Sequence, residues 1–396
     1  MSDTSTQLIH HPYTPPAGFE AIPPGVYKAS TVIFPNVAAM HDRDWKRRAA
    51  YTYGLHGTPT TFTLEARIAT LEGGKHCLLA PSGLAAVALV DMAFLKTGDE
   101  VLIPDNAYGP GKTFAEAELV AWGISLQFYD AMNPSDLAAK LSRKTRLVWL
   151  EAPGSITLEF PDIPALVAVV RAHNASAAQA HPLGAVTALD NTWGAGLAFN
   201  AFTLGVDVSV HALTKYPSGG GDVLMGSVVT CDVALHDPIQ LCHMRLGYAV
   251  SANDAELVLR GLGSMALRYA AQDATARALA AWLQTQPQIA TVLHPALPGS
   301  PGHAVWKRDC TGAACLFSAV FKPEFTQQQI NHFCDSLQLF KLGYSWAGPM
   351  SLCVPYNIPA VRTMPWPHKG GLVRFSVGLE ALADLQADIS QALEKV

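Results

Sequence analysis

VDVSVHALTKYPSGGGD, Val206–Asp222, is the stretch that orders the remaining sequence around itself. Val206, Val208 and Val210 mark an apolar run that ends in Ala212-Leu213-Thr214-Lys215, and a glycine-rich turn follows at once. A strand closed by lysine and glycines sets an amine at the carboxyl end of a sheet strand, the edge where open α/β sheets bind ligands. Shielded from water, such an amine can be a nucleophile toward a carbonyl cofactor. A solvated loop lysine is the other reading of the same residues.

Outward from this stretch, short apolar runs alternate with helical spacing. The runs are His76–Ala80, Val101–Ile103, Ser125–Tyr129, Leu147–Leu150, Ala185–Leu189, Val206–Val210 and Leu224–Val229. Helical patterns occupy Phe62–Leu71, Leu84–Leu95, Lys112–Trp122, Pro134–Leu141 and Ile163–Ala172. Strands alternating with helices predict βαβ units, an α/β fold and a mainly parallel seven-stranded sheet in one large domain. Beyond Ser251 the texture changes. An Ala/Leu-rich helix is expected over Ala255–Gln284, interrupted near Gly261 and Gly263, with strands at Leu316–Phe321 and Leu372–Val377 and helices at Gln327–Leu337 and Ala381–Leu393. These form a smaller α+β domain. Residues 1–55 read as irregular, because Pro12, Pro15, Pro16, Pro23 and Pro24 preclude a continuous helix. The expected division is an arm over 1–55, a large domain over 56–250 and a small domain over 251–396. Such an arm packs on its own body or crosses to another subunit.

The 396 residues are 49% hydrophobic and 15% charged, enough apolar matter for a large core. With a net charge of −5 and no basic run, neither nucleic acid nor anionic lipid is an expected partner. Met1–Ile9 lacks the basic and apolar regions of a secretory signal, and no apolar run approaches the ~20 residues of a membrane span. The seven cysteines are odd in number, irregularly spaced and without a CxxC. They read as reduced thiols of a cytoplasmic protein, with no metal site.

Several further residues carry chemistry. Ser82 is a good N-cap before Gly83-Leu84, where free N–H groups and the helix dipole favour an anion; a plain βα turn is the alternative. Asp190 ends the run Ala185–Leu189 and suits a cationic partner such as a pyridinium nitrogen, or else forms an Asx-turn. Tyr108 follows Val101–Ile103 and can stack on a planar ring or simply pack in its loop. Arg374 interrupts the apolar run Leu372–Ser376 and needs either an internal carboxylate or that of a substrate. Gly219–Gly221 follow the lysine instead of opening a helix, which argues against a dinucleotide site.

With these pieces in place, the chain resembles the pyridoxal-phosphate enzymes of cysteine and methionine metabolism (fold type I), most of all their bacterial cystathionine β-lyase branch. The resemblance runs from about Tyr51 to the C-terminus. It is carried by Tyr53-Gly54-Leu55-His56-Gly57-Thr58, Leu71-Glu72-Gly73-Gly74, Glu151-Ala152-Pro153-Gly154-Ser155-Ile156-Thr157, Asp190-Asn191-Thr192-Trp193, Thr214-Lys215-Tyr216, His294–Ser300 and Tyr344-Ser345-Trp346.

The resemblance implies a role for each residue. Lys215 becomes the lysine that binds pyridoxal 5'-phosphate covalently and acts as the catalytic base. Asp190 pairs with the ring nitrogen and Tyr108 stacks on the ring and assists the leaving group. Gly83, Leu84 and Thr214 hold the phosphate, and Tyr53 reaches it from a neighbouring subunit. Arg374 and Ser345 hold the substrate carboxylate, while Tyr344 and Trp346 line the substrate side. The implied reaction is α,β-elimination of L-cystathionine or related cysteine S-conjugates to a thiol, pyruvate and ammonia, in a cytoplasmic dimer or homotetramer serving methionine biosynthesis. γ-Elimination or thiol replacement on the same site is the nearest alternative, and a non-catalytic binding module the remote one. Tyr344, standing where γ-lyase relatives commonly carry an acidic residue, favours the β-lyase. The chain departs from the family pattern twice: Leu55 stands where an arginine usually reaches the phosphate, and Gly219-Gly220-Gly221-Asp222 replaces the usual Gly-His-Ser-Asp.

Overall fold

β1 (His76–Ala80), β2 (Glu100–Pro104), β3 (Ser125–Tyr129), β4 (Thr145–Glu151), β5 (Val186–Asp190), β6 (Val208–His211) and β7 (Gly226–Thr230) build one sheet in the order β1-β7-β6-β5-β4-β2-β3. β6, β5, β4, β2 and β3 pair in parallel, and β7 runs antiparallel to both β6 and β1. The computed structural model describes residues 3–19, 21–41, 51–176 and 182–396. The central strands read as unbroken apolar runs because both faces are covered. Leu147 and Trp149 of β4 enter one apolar cluster, while Val148 and Leu150 enter the other.

Local chemistry sets the crossovers. Thr58 and Thr61 cap each other's backbone at the start of the helix Pro59–Glu72, and Gly73, at φ 75°, ends it in the left-handed region. Ser82 Oγ accepts from Ala85 N at 3.0 Å and opens the helix Gly83–Phe94. The helix expected over Lys112–Trp122 starts earlier, at Gly109, and widens into a π-helical turn over Ala115–Leu119.

A second sheet holds β8 (Ile289–Leu293), β9 (Leu316–Phe321), β10 (Lys341–Leu342), β11 (Leu352–Tyr356) and β12 (Leu372–Ser376), in the order β10-β11-β12-β9-β8. β12, flanked on both sides, carries Arg374 opposite Val354 and Ser318. β8, β10 and β11, and the helix Val233–Leu246, were not legible as runs or periods in the sequence.

Two expectations are corrected. The helix Ala252–Leu283 passes through Gly261 and Gly263 without interruption. A Cβ on Gly261 would stand 2.1 Å from Pro217 O, so this glycine admits the lysine loop against the helix backbone and does not break it. The arm is not wholly irregular either. Thr4–Ile9 is a helix, capped by Asp3, that ends before Pro12 and packs Leu8 against Pro59–Glu72 and Ala252–Leu283. Residues 1–2, 20 and 42–50 of the expected arm lie outside the described residues. Among the described residues no helix is long and apolar enough to cross a membrane.

Candidate active site

The carboxyl ends of β4, β5 and β6 bring their charged residues to one edge. Glu151 ends β4 and Asp190 ends β5, and the two are register partners. Four residues past β6, Lys215 is held by its own loop: its N–H donates to Ala212 O at 3.0 Å, and its carbonyl accepts from Gly219 N at 2.9 Å. Lys215 Nζ donates to Ser345 Oγ at 2.6 Å and lies 5.4 Å from the ring centre of Trp346. Ser345 is positioned by backbone at φ 102°, a strained conformation for a residue with a Cβ. Burial, reinforced by the field of Arg374, pulls the Lys215 amine down to about 8.

Asp190 accepts from the Thr192 N–H at 3.0 Å and from its hydroxyl at 2.5 Å, and Thr192 Oγ1 also accepts from Ala212 N at 2.9 Å. Asp190 is thus tied to the lysine strand through one threonine. Burial raises its carboxyl above the ordinary range despite those donors. Burial, then the charge of Asp190, pushes Glu151 far above its ordinary value. Glu151 also accepts the backbone N–H of Tyr108 at 2.7 Å and so fixes that tyrosine's loop. Burial, then Asp190, raises the Tyr108 phenol. Tyr108, Glu151 and Asp190 share a cavity of about 360 Å³ with Asp91, whose carboxyl accepts from Trp149 Nε1 at 2.8 Å.

From the second sheet, Arg374 sits buried beside Tyr356, 5.3 Å from its ring centre, and donates from Nη1 to Ser155 O at 3.2 Å. No carboxylate pairs with it among the described residues, which disposes of the internal ion pair. The first-turn N–H groups of Gly83 and Leu84 take no partner within their helix. A Cβ on Gly83 would stand 2.7 Å from Ala212 Cβ, and one on Gly226 2.4 Å from Ser82 O. This close seating sets the helix start beside the lysine loop. Thr214 Oγ1 is engaged locally with the Met225 backbone, accepting its N–H at 3.1 Å.

Lys215, Ser345, Trp346, Arg374, Asp190 and Tyr108 are therefore one cluster. Tyr344 is 82% exposed and Tyr53 48% exposed, and among the described residues neither hydrogen-bonds to or stacks on that cluster. Sequence reasoning gave no role to Glu151, Tyr356 or Glu72. Glu151 carried the signal that revealed Asp190, an acid ending an apolar run. Glu72 is fully buried and accepts from Asn191 Nδ2 at 2.8 Å, Ser209 Oγ at 2.8 Å and His211 Nδ1 at 2.9 Å, bracing the strands that bear Asp190 and Lys215. The glycines after the lysine have a packing reason. A Cβ on Gly219, at φ 65°, would meet Arg268 Nη1 at 2.0 Å, and Arg268 Nη2 donates to Tyr216 O at 2.8 Å. Leu55 and His56 line a separate cavity of about 450 Å³ with Gln240 and His243.

This donor set fits pyridoxal phosphate. A desolvated amine faces the aldehyde's chemistry, a buried carboxyl suits a ring cation, and close-packed backbone leaves helix-start N–H groups for a dianion. Three comparisons agree. A cystathionine beta-lyase from Bordetella avium is 39% identical over 100% of both chains. Cystathionine beta-lyase MetC from Escherichia coli (strain K12) is 36% identical, covering 99% of this chain and 98% of its own. The crystal structure of metB from Corynebacterium glutamicum superposes with a TM-score of 0.88 at 29% identity, over 99% of this chain and 98% of that one. Since the family model for Cys/Met metabolism PLP-dependent enzymes also matches residues 5–394, this chain belongs to that family.

Proposed function

We propose that this enzyme is a carbon–sulfur β-lyase acting on L-cystathionine and related cysteine S-conjugates. The carrying observation is the half-buried Lys215 amine, hydrogen-bonded to Ser345 Oγ beneath Trp346 and close enough to Arg374 to feel its charge. Pyridoxal phosphate, when bound, supplies a ring that accepts the negative charge developing at the substrate Cα. Lys215 would anchor it, Asp190 would hold the protonated ring nitrogen, Tyr108 would cover the ring, and Gly83, Leu84 and Thr214, with Tyr53 of a second copy, would hold the phosphate.

The chain's own groups then have distinct tasks. Arg374 keeps donors of its planar fork for the substrate α-carboxylate, in a dry setting that strengthens the contact. Lys215 would take the Cα proton, and a pKa near the working pH suits both taking and returning a proton. Ser345 Oγ fixes where that amine stands. The proton on Lys215 then passes to the departing sulfur, with the Tyr108 hydroxyl beside it. Homocysteine leaves, and hydrolysis of the remaining three-carbon fragment gives pyruvate and ammonia. Incubation with L-cystathionine tests the reading. Pyruvate and homocysteine in equal amounts are expected, and 2-oxobutyrate with cysteine as main products would overturn it.

We also place the working enzyme in an assembly of at least two copies in the cytoplasm. Its arm leaves Phe19, Ile22, Ile33 and Val37 exposed on the single chain, which water penalises and a second copy would cover. Cysteines that form no disulfide among the described residues suit a reducing compartment.

A further inference from the structure

Two arginines are buried among the described residues, Arg374 and Arg67. Arg374 donates to Ser155 O, and the half-buried Arg362 and Arg268 have Glu159 with Asp105, and Tyr216 O, as partners. Arg67, in the helix Pro59–Glu72, differs. It is only 9% exposed, its Nε is buried without a hydrogen-bond partner, and no carboxylate pairs with it among the described residues. A guanidinium withdrawn from water without an anion is costly, and an unsatisfied buried donor of this kind calls for a ligand.

The surroundings say which. Arg67 lines a narrow crevice, open to solvent, between its own helix and the N-terminal helix Thr4–Ile9. The polar lining is Thr4, Gln7, His11 and Thr70, the apolar wall is Leu8 and Leu71, and no acid is among them. His11 turns Nδ1 to Pro12 O at 3.1 Å and Nε2 to Thr70 Oγ1 at 3.5 Å. Burial, and then Arg67, hold its imidazole below the usual range, so Arg67 is the charge of the cavity. One fixed cation with hydroxyl and amide groups around it, and no acid in the lining, matches the chemistry of a compact oxyanion.

We propose that this crevice binds a tetrahedral oxyanion of the phosphate or sulfate class, held by the Arg67 fork and bridged to the N-terminal helix through Thr4. The bound ion clamps the start of the arm onto the helix whose last residue is Glu72. The site is separate from the lysine cluster and would remain available with the cofactor in place.

The test is calorimetric titration of holoenzyme, freed of excess cofactor, with inorganic phosphate and separately with sulfate, acetate and chloride at matched ionic strength. Saturable phosphate or sulfate binding is expected, weakened about ten- to a hundred-fold in Arg67→Met, which loses one charge-assisted contact. Arg67→Lys, keeping charge without the fork, should fall between. Pyruvate release by both variants serves as the folding control. In wild-type holoenzyme, amide exchange over residues 3–11 should slow with phosphate, a readout that stands even if the variants fail to fold. Equal binding by Arg67→Met, an equal response to acetate or chloride, or unchanged exchange with phosphate would each overturn the site.

Discussion

Lys215 shows how environment converts an ordinary side chain into a reactive one. Its amine is pulled to about 8 from 10.5 because burial disfavours the cation and Arg374 repels it. Covalent capture of pyridoxal phosphate needs the neutral amine, so the capture rate of cofactor-free protein should climb as pH passes about 8. Stopped-flow absorbance reads this, and a flat profile from pH 7 to 9 would refute it. Stability carries the same signature. Between about 8 and 10.5 the unfolded chain holds a proton that the folded chain has released, so stability rises with pH across that window. Below it both states are protonated and the burial penalty is present in full. Lys215→Met should flatten that part of the melting curve. Lys215→Ala should also cut pyruvate release at least about 10²-fold, the low end of acid–base catalysis. Arg374→Ala should raise KM for amino-acid substrates roughly 10- to 100-fold, one charge-assisted bond, with poor rescue by Arg374→Lys. Unchanged KM in both would reject its carboxylate role. Lys215, Asp190 and Arg374 were legible in the sequence because each interrupts or ends an apolar run. Tyr356 was not, because its contact with Arg374 arises only when β11 and β12 pair.

Elements decide where such residues meet. Glu151, Asp190 and Lys215 converge because parallel strands point their carboxyl ends one way. Six of the seven strands were readable because they are largely buried on both faces, so little polar interruption blurs the run, while β3, at the sheet edge, is mostly half-buried. β8 and β10 have exposed positions, and β11 contains Pro355, so neither periodicity nor apolar continuity exposed them. Glycine misled the reading of Ala252–Leu283, where propensity alone suggests a break. Tertiary packing separates the two positions. Gly261 faces Pro217 O and Ser218 O, while a Cβ added to Gly263 would meet nothing within 4 Å. Gly263→Ala should therefore raise the melting temperature, with a gain of up to about 1 kcal/mol from helix propensity. Gly261→Ala should destabilise by about 1–3 kcal/mol through overpacking, and it should shift the lysine loop, lowering activity as well. Calorimetric melts of the two variants decide the matter, and equal effects of the same sign would show that packing is not what distinguishes them.

At the scale of the whole molecule, the proposed assembly would link self-association to the cofactor through the arm. Thr31 pairs with Tyr53 as an antiparallel bridge, and Gly54 N donates to Ser30 O at 2.8 Å. A Cβ on Gly54 would fall 1.8 Å from Ala29 O, so this contact is too close for any other residue. Tyr53 is thereby fixed to a segment whose neighbours, Ile33 at 86% and Ile22 at 97% exposure, are turned to water in the single chain. Covering large apolar side chains contributes roughly 1.5–3 kcal/mol each, so a second copy seated on this segment gains from both. That seating would carry Tyr53 toward the partner's phosphate-holding helix start. Ile33→Asp should leave the chain's own fold intact, since Ile33 packs on little of it, while weakening association. Light scattering after gel filtration should show a shift to smaller species at low micromolar protein. If Tyr53 serves the partner's site, cofactor retention on dilution should fall in step with the loss of mass. Tyr53→Phe should separate the two effects by keeping the assembly and releasing cofactor more readily. An Ile33→Asp protein of wild-type mass would remove this segment from the interface. Wild-type mass loss with full cofactor retention would leave the interface standing and strike out the role of Tyr53 in the neighbouring site.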